Sequence, residues 1–266
     1  MSITDQPALP PAHLPLSAVV TDSIVIARRN LLMIMRTPQL LVFSTIQPVM
    51  FVLLFRYVFG GAINVPGTNY ANFLLPGVFV QTVVFGGTAA AVALAADLNA
   101  GIVDRFRSLP MARSAVLAGR TAADAVRNVF VIALMVIVGY AVGFRFQGGF
   151  LAAGGAMAIA LLFGYAFSWF FALVGLLVRD PETAQVAGFV PLFPLVFASS
   201  IFVSPQTMPS WLRWFAEHQP ISKVANAVRG LSLGTATTSD VVVALLWIGA
   251  MLVVFAPLAT WRYRKG

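Results

Sequence analysis

"FLAAGGAMAIALLFGYAFSWFFALVGLLV", residues 150–178, runs for 29 residues without a charged side chain. Coiled as an α-helix it reaches about 43 Å, at about 1.5 Å per residue. The hydrocarbon core of a bilayer is about 30 Å thick, so the stretch reads as a membrane-spanning helix. Working outward from it in both directions, five further segments are long and apolar enough to cross: 38–59, 73–98, 121–144, 184–204 and 240–261. The expected fold class is an all-α integral membrane protein with six transmembrane helices.

The composition agrees. Of the 266 residues, 59% are hydrophobic and 10% charged, where soluble domains carry about 25% charged residues. The polar stretch "MSITDQPALPPAHLPLS" at the N-terminus contains four prolines and reads as a disordered tail over residues 1–16, with the transmembrane domain over 17–266. No basic residue precedes Arg28, and no apolar run follows promptly, so insertion is expected through internal spans and not a cleaved leader. Between tail and first span, residues 17–36 place Val20, Ile24, Ala27, Leu31 and Ile34 among Arg28, Arg29 and Arg36. That amphipathic pattern predicts a helix lying along the membrane interface.

The net charge of +8 belongs to short loops and does not point to nucleic acid. With the N-terminus in the cytoplasm, the inner side holds Arg28, Arg29, Arg36, Arg105, Arg107, Arg113, Arg120, Arg127, Arg179, Arg262, Arg264 and Lys265. The outer side holds only Arg56, Arg145, Arg213, Lys223 and Arg229. The positive-inside rule then puts both termini inside a multi-pass protein of the cell membrane.

Several chemistries are excluded by residue type. There is no cysteine, hence no disulfide and no thiolate metal site. The two lysines, Lys223 and Lys265, follow Ser222 and Arg264, so the G-x-x-x-x-G-K-[ST] phosphate loop is absent. The two histidines, His13 and His218, make no metal motif. Most of the nine acidic residues lie at the expected span ends or in loops, and none of Asp97, Asp124, Asp180, Glu182 or Asp240 falls at the centre of a span, which disfavours a proton- or sodium-coupled carrier. No catalytic set, metal or cofactor of this chain is expected.

One charged knot interrupts the apolar pattern: "GIVDRFRSLPMARSAVLAGR", 101–120. Ile102, Val103, Phe106 and Leu109 alternate there with Asp104, Arg105 and Arg107, and Pro110 closes the segment, which predicts a short amphipathic cytoplasmic helix. Its charges either face water and headgroups or dock in a groove of a soluble partner with Phe106 as anchor; composition favours neither. Beyond it, Arg120, Asp124 and Arg127 share one face of the third span, either as an ion-paired stripe at headgroup level or as a relay into the span. On the outer side, "MPSWLRWFAEHQPI" is too polar to span, and two short re-entrant helices are expected at 207–218 and about 220–232, with Trp211, Trp214 and Phe215 on one face. Pro48, Pro76, Gly86–Gly87, Pro191, Pro194 and Pro257 interrupt spans, as ordinary kinks or as gating points. The small residues of 86–96 suit close packing, inside the protein or against a second copy.

Residues 101–120, together with "MPSWLRWFAEHQPISKVANAVRGLSLG" (208–234), resemble ABC-2-type transporter permeases, particularly the daunorubicin-resistance-type branch of drug and lipid exporters. The resemblance covers the chain beyond its tail. It implies a membrane subunit working with a separate ABC ATPase, in two copies, which binds ATP and Mg, and with a second permease chain, identical or paralogous. It further implies that residues 17–36, with Arg28, Arg29 and Arg36, form a connecting helix. Asp104, Arg105, Phe106, Arg107, Ser108, Leu109 and Pro110 would form the coupling helix on the ATPase. Trp211, Trp214, Pro220 and Arg229 would belong to the outer re-entrant motif, with Arg229 pairing or capping there. The cargo expected is hydrophobic or amphipathic, a drug or lipid. Phe43, Phe51, Phe79, Phe189 and Phe193 are candidates to line its path, although a Phe stripe serves packing or lipid contact equally well. Rival readings are a permease for polysaccharide or lipid-linked glycan, and an ATPase-independent ion-coupled carrier or membrane scaffold.

Overall fold

The computed structural model describes residues 16–36, 38–63, 65, 67–102 and 113–265, with backbone alone at 16–20, 34, 35, 38, 40, 41, 43, 44, 113, 114, 264 and 265. The expected tail, up to residue 15, lies outside them. The regular structure among the described residues is helical throughout. In order come α1 (Leu16–Arg36), α2 (Pro38–Leu53) running into a π-helical turn (Leu54–Phe59), α3 (Tyr70–Asn99), α4 (Arg113–Ala141) and α5 (Gly149–Val178). Then follow α6 (Pro181–Phe197), a 3-10 turn (Pro205–Thr207), α7 (Ser210–His218), α8 (Pro220–Leu233) and α9 (Thr238–Lys265).

Four of these helices are long and apolar enough to cross a membrane: Tyr70–Asn99, Ala115–Ala141, Gly149–Val178 and Thr238–Tyr263. The apolar part of α2 and its π turn, Thr45–Phe59, is shorter. The α6 helix has 17 residues.

Local chemistry sets the boundaries. The Asn69 side chain accepts from the Asn72 amide at 2.8 Å and caps α3. Asp180 accepts from both the amide and the hydroxyl of Thr183, at 2.7 and 2.6 Å, with Pro181 in the first turn of α6. These two donors hold the Asp180 carboxyl below its ordinary range. At α9 the Thr237 amide donates to Asp240 and the Asp240 amide to the Thr237 hydroxyl, a reciprocal capping box. Gly234, at φ +73°, closes α8 in the left-handed region that glycine enters without steric cost. Inside the helices, the hydroxyls of Thr82, Thr121, Ser168 and Thr260 fold back onto carbonyls four residues earlier. Each hydroxyl proton is thereby satisfied without water.

The helix at the centre is α3. Every residue from Tyr70 to Phe85 is buried, as expected of a helix apolar all round. It is wrapped by α5, α6, α8 and α4, while α1 lies along α4 and α9 packs on α5 and α8. Glycines permit the closest approaches: a Cβ on Gly175 of α5 would stand 2.6 Å from the Ala91 carbonyl of α3. By contrast, α9 turns Val253, Leu246 and Trp261 outward.

Two boundaries differ from expectation. The α4 helix, expected as the third span over 121–144, begins by Arg113. Asp124 therefore follows about 17 Å of helix, at about 1.5 Å per residue, and is not at its end. The helix expected over 184–204 stops at Phe197. Pro191 and Pro194 withdraw two amide donors from it, and the chain beyond is held by side chains.

Candidate functional site

Asp104, Arg105, Phe106, Arg107, Ser108, Leu109 and Pro110 lie outside the described residues. What flanks them is well defined. The end of α3 turns through Gly101, at φ +65°, and α4 starts at Arg113. A three-helix clasp ties these ends together. The Arg120 guanidinium of α4 donates to the Asp97 carboxylate of α3 at 2.6 Å, and Arg29 of α1 stands 3.9 Å from the same carboxylate. Backbone contact reinforces the clasp, since a Cβ on Gly119 would meet the Ser23 carbonyl of α1 at 2.5 Å. Arg28 and Arg36 of α1 are exposed.

Arg120, Asp124 and Arg127 do share a helix, but they do not form one chain of pairs. Arg120 takes Asp97, while Asp124 takes Arg127, at 3.4 Å between Oδ1 and Nη1. Arg127 also departs from the headgroup-level stripe: its side chain is only 10% exposed and points into the bundle. Its Nη2 donates to the Gly86 carbonyl of α3 at 2.6 Å. Gly86 is the seventeenth residue of the 30 in α3, so a guanidinium sits halfway along the central helix. The expectation of charge-free span interiors fails here. The earlier start of α4 is the reason.

Around Arg127 lies a mostly apolar cleft of about 140 Å³ with polar side chains set in its wall. Gln47 and Pro48 of α2, Gln81, Thr82, Phe85, Gly86, Thr88 and Ala89 of α3, and Phe189 of α6 complete its lining. Gly86 and Gly164 make room behind it, because Cβ atoms there would meet the Asn128 side chain at 2.9 and 3.0 Å. Three buried polar atoms of this neighbourhood have no hydrogen-bond partner among the described residues: Gln81 Oε1, Asp124 Oδ2 and Asn128 Nδ2. Sequence reasoning passed over Gln47, Gln81 and Asn128. Their signal was present, since each is an uncharged polar side chain in an apolar run, two of them on the central helices.

Among the aromatic candidates, Phe189 reaches the cleft, with its ring 5.5 Å from that of Phe85. Phe79 is fully buried and packs edge-on against Phe144, within the core. Phe51 and Phe193 join a ring stack instead, with Phe51 against Phe55 and Phe193 on Phe197 at 4.5 Å. The side chain of Phe43 lies outside the described residues.

The other end of the bundle is built around Arg229. Its Nε donates to the Phe73 carbonyl (2.8 Å), Nη2 to the Ser200 carbonyl (2.7 Å) and Nη1 to Asn226 Oδ1 (2.8 Å). Its guanidinium also stacks 3.9 Å over the Phe73 ring. Gln219 Nε2 donates to the Leu195 and Ala198 carbonyls at 2.7 and 2.8 Å, the Ser222 hydroxyl accepts from the Ser200 amide, and the Tyr70 hydroxyl donates to the Phe202 carbonyl. Side chains thus satisfy the backbone that α6 leaves behind. Pro220 opens α8. Trp211 and Trp214 are exposed together on α7, with Phe215 beside them.

No group of three or more metal-ligating side chains occurs among the described residues. The described residues form a helical bundle with a clasp at one end, a clamped non-helical segment at the other and a cleft between. Residues 21–233 match the ABC-2 type transporter family, to which the chain belongs. It is therefore a membrane permease of an ABC exporter. The chain is 40% identical, over 86% of its length and 81% of the relative's, to the daunorubicin resistance ABC transporter permease protein DrrB1 of Streptomyces coeruleorubidus. It is 28% identical, over 76% of its length and 72% of the relative's, to the doxorubicin resistance permease DrrB of Mycobacterium tuberculosis. It is 24% identical, over 84% and 80%, to the probable doxorubicin resistance permease DrrC of the same organism.

Proposed function

We propose that this permease moves a hydrophobic or amphipathic drug, or a lipid, out of the cell on ATP hydrolysed by a separate subunit. The observation that carries the reading is the 40% identity to a daunorubicin resistance permease along 86% of a chain that has no phosphate loop of its own. Two ATPase copies, each binding ATP and Mg, would dock on two permease chains, identical or paralogous. The contact would be residues 101–110, with Asp104, Arg105, Phe106 and Arg107 as the docking side chains. Six crossings with both termini cytoplasmic would follow if α2 with its π turn and α6 cross as shorter helices, and α7 and α8 would then re-enter from the outer face. The Asp97–Arg120 contact supports a transmission route, because it joins both helices that flank residues 101–110.

The test is co-purification of the detergent-solubilised chain with its co-expressed ATPase, wild type against Asp104→Ala/Arg105→Ala/Phe106→Ala. Bound ATPase and daunorubicin-stimulated ATP turnover are read together. The wild type should hold the ATPase and respond to drug, and the triple variant should lose both. Equal behaviour of the two would reduce 101–110 to a headgroup anchor.

A further inference from the structure

Resting on the exporter reading, we infer that the cleft around Gln81 is a subsite for a neutral hydrogen-bond donor on the cargo: a hydroxyl on an otherwise apolar molecule. The first ground is the orphaned amide. Gln81 is 2% exposed, lines the cleft, and its Oε1 has no partner among the described residues. A buried acceptor left unmatched costs about 1–3 kcal/mol, a burden that an apolar side chain of the same size would remove. A residue kept at the expense of stability in this way is characteristic of a binding site.

The second ground is size. A cleft of about 140 Å³ equals the volume of roughly four or five waters at about 30 Å³ each. Whole drug-sized ligands fill about 300–1,000 Å³. The cleft takes one functional edge, while the remainder of the cargo lies outside it. Exposed Ala89 marks the side on which the cleft opens.

The third ground is the chemistry of the wall. Gln47, Gln81 and Arg127 offer side-chain N–H donors, and the two glutamines offer acceptors as well. The Thr82 and Thr88 hydroxyls already donate to Val78 and Phe85 carbonyls, so they contribute only acceptor lone pairs. The charge of Arg127 is offset by Asp124 at 3.4 Å, which favours a neutral oxygen over an anion. Phe85, Phe189 and Pro48 supply the apolar flank against which a ring can lie.

The discriminating variant is Gln81→Leu in the assembled permease–ATPase complex. Binding of two probes is measured by equilibrium dialysis: daunorubicin, which carries hydroxyls able to donate, and tetraphenylphosphonium, which has no hydrogen-bonding atom. Gln81→Leu should weaken daunorubicin about tenfold, the loss of roughly one hydrogen bond to a buried partner. It should leave the phosphonium where the wild type has it, and raise the melting temperature by about 2–4 °C. A lower melting temperature would make Gln81 structural and overturn the inference. So would an undiminished daunorubicin affinity, or an equal loss for both probes. A wild-type complex that holds its ATPase but binds no daunorubicin would bring down the drug-exporter reading, and this inference with it. Strong wild-type binding that Gln81→Leu leaves unchanged would bring down the subsite alone.

Discussion

Replacing Asp97 by Leu tests whether the inner clasp holds the bundle together. Its carboxylate is only 19% exposed and the side chain of Arg120 only 13%. Breaking a fully buried ion pair by removing one partner costs about 3–5 kcal/mol, and an exposed pair contributes about 0.2–1 kcal/mol. For a mostly covered 2.6 Å pair, about 2–3 kcal/mol is the consistent figure. At about 2–4 °C per kcal/mol for a chain of this size, the melting temperature should fall by about 4–12 °C. The two sides of the pair should not cost the same. Asp97→Leu strands Arg120 and deprives Arg29 of its 3.9 Å neighbour, whereas Arg120→Met leaves Asp97 near Arg29. Asp97→Leu should therefore be the worse variant, and the double variant should recover about 2 kcal/mol in a double-mutant cycle. Thermal unfolding of the detergent-solubilised chain, followed by intrinsic fluorescence, reads all four proteins. A melting point within 1 °C of wild type for Asp97→Leu, or additive costs in the cycle, would refute the clasp.

Other expectations follow from single contacts. Gly175→Ala forces a methyl to within 2.6 Å of the Ala91 carbonyl. The α3–α5 seam must part, costing about 1–3 kcal/mol despite the better helix propensity of Ala, and the melting temperature will show it. Arg229→Lys retains the charge but not the fork that reaches Phe73, Ser200 and Asn226 together. It should cost about 2 kcal/mol and increase proteolysis of the 198–204 segment. The Asp180 carboxylate is ionised at neutral pH in the folded and the unfolded chain, and the Thr183 hydrogen bonds hold its folded pKa below the ordinary value. Its stabilisation is complete above the ordinary carboxylate pKa of about 3.9 and is lost as pH falls through the depressed folded value. Hydrogen exchange at the Thr183 amide should therefore accelerate only in that acidic window, and Asp180→Ala should make it fast at every pH.

The spans were legible where hydropathy alone decides. Residues 150–178 hold no charge, and α5 runs from Gly149 to Val178. The start of α4 was not legible, because Arg120, Asp124 and Arg127 depress the hydropathy of its first turns. What makes those charges tolerable is supplied by another helix, in the Asp97 carboxylate and the Gly86 carbonyl, each far away in sequence. The end of α6 was misjudged for a related reason. Residues 198–204 are apolar enough to continue a helix, and only Gln219, Ser222 and Arg229, which satisfy their backbone from α7–α8, show why they need not. The cleft escaped notice because glutamine and asparagine carry no charge, and their isolation becomes visible only once partners can be counted.

The clasp and the cleft are two attachments of one helix pair. Arg120 and Arg127, seven residues apart on α4, reach Asp97 and Gly86, eleven residues apart on α3. Two such ties fix the register of α3 against α4, since sliding one helix past the other breaks the ion pair and the hydrogen bond at once. A motion that widens the cleft while keeping those ties cannot come from this pair. It has to come from the opposite wall, where Gln47 and Pro48 belong to α2 and Phe189 to α6. Both of those helices have interrupted ladders, at Pro48 in one and at Pro191 and Pro194 in the other, and α3 has a break of its own at Pro76, nearer the end away from Asp97. A missing amide donor lowers the cost of bending at that turn. A fixed register of α3 against α4 and easier bending in α2 and α6 therefore follow from contacts and prolines that meet at the cleft.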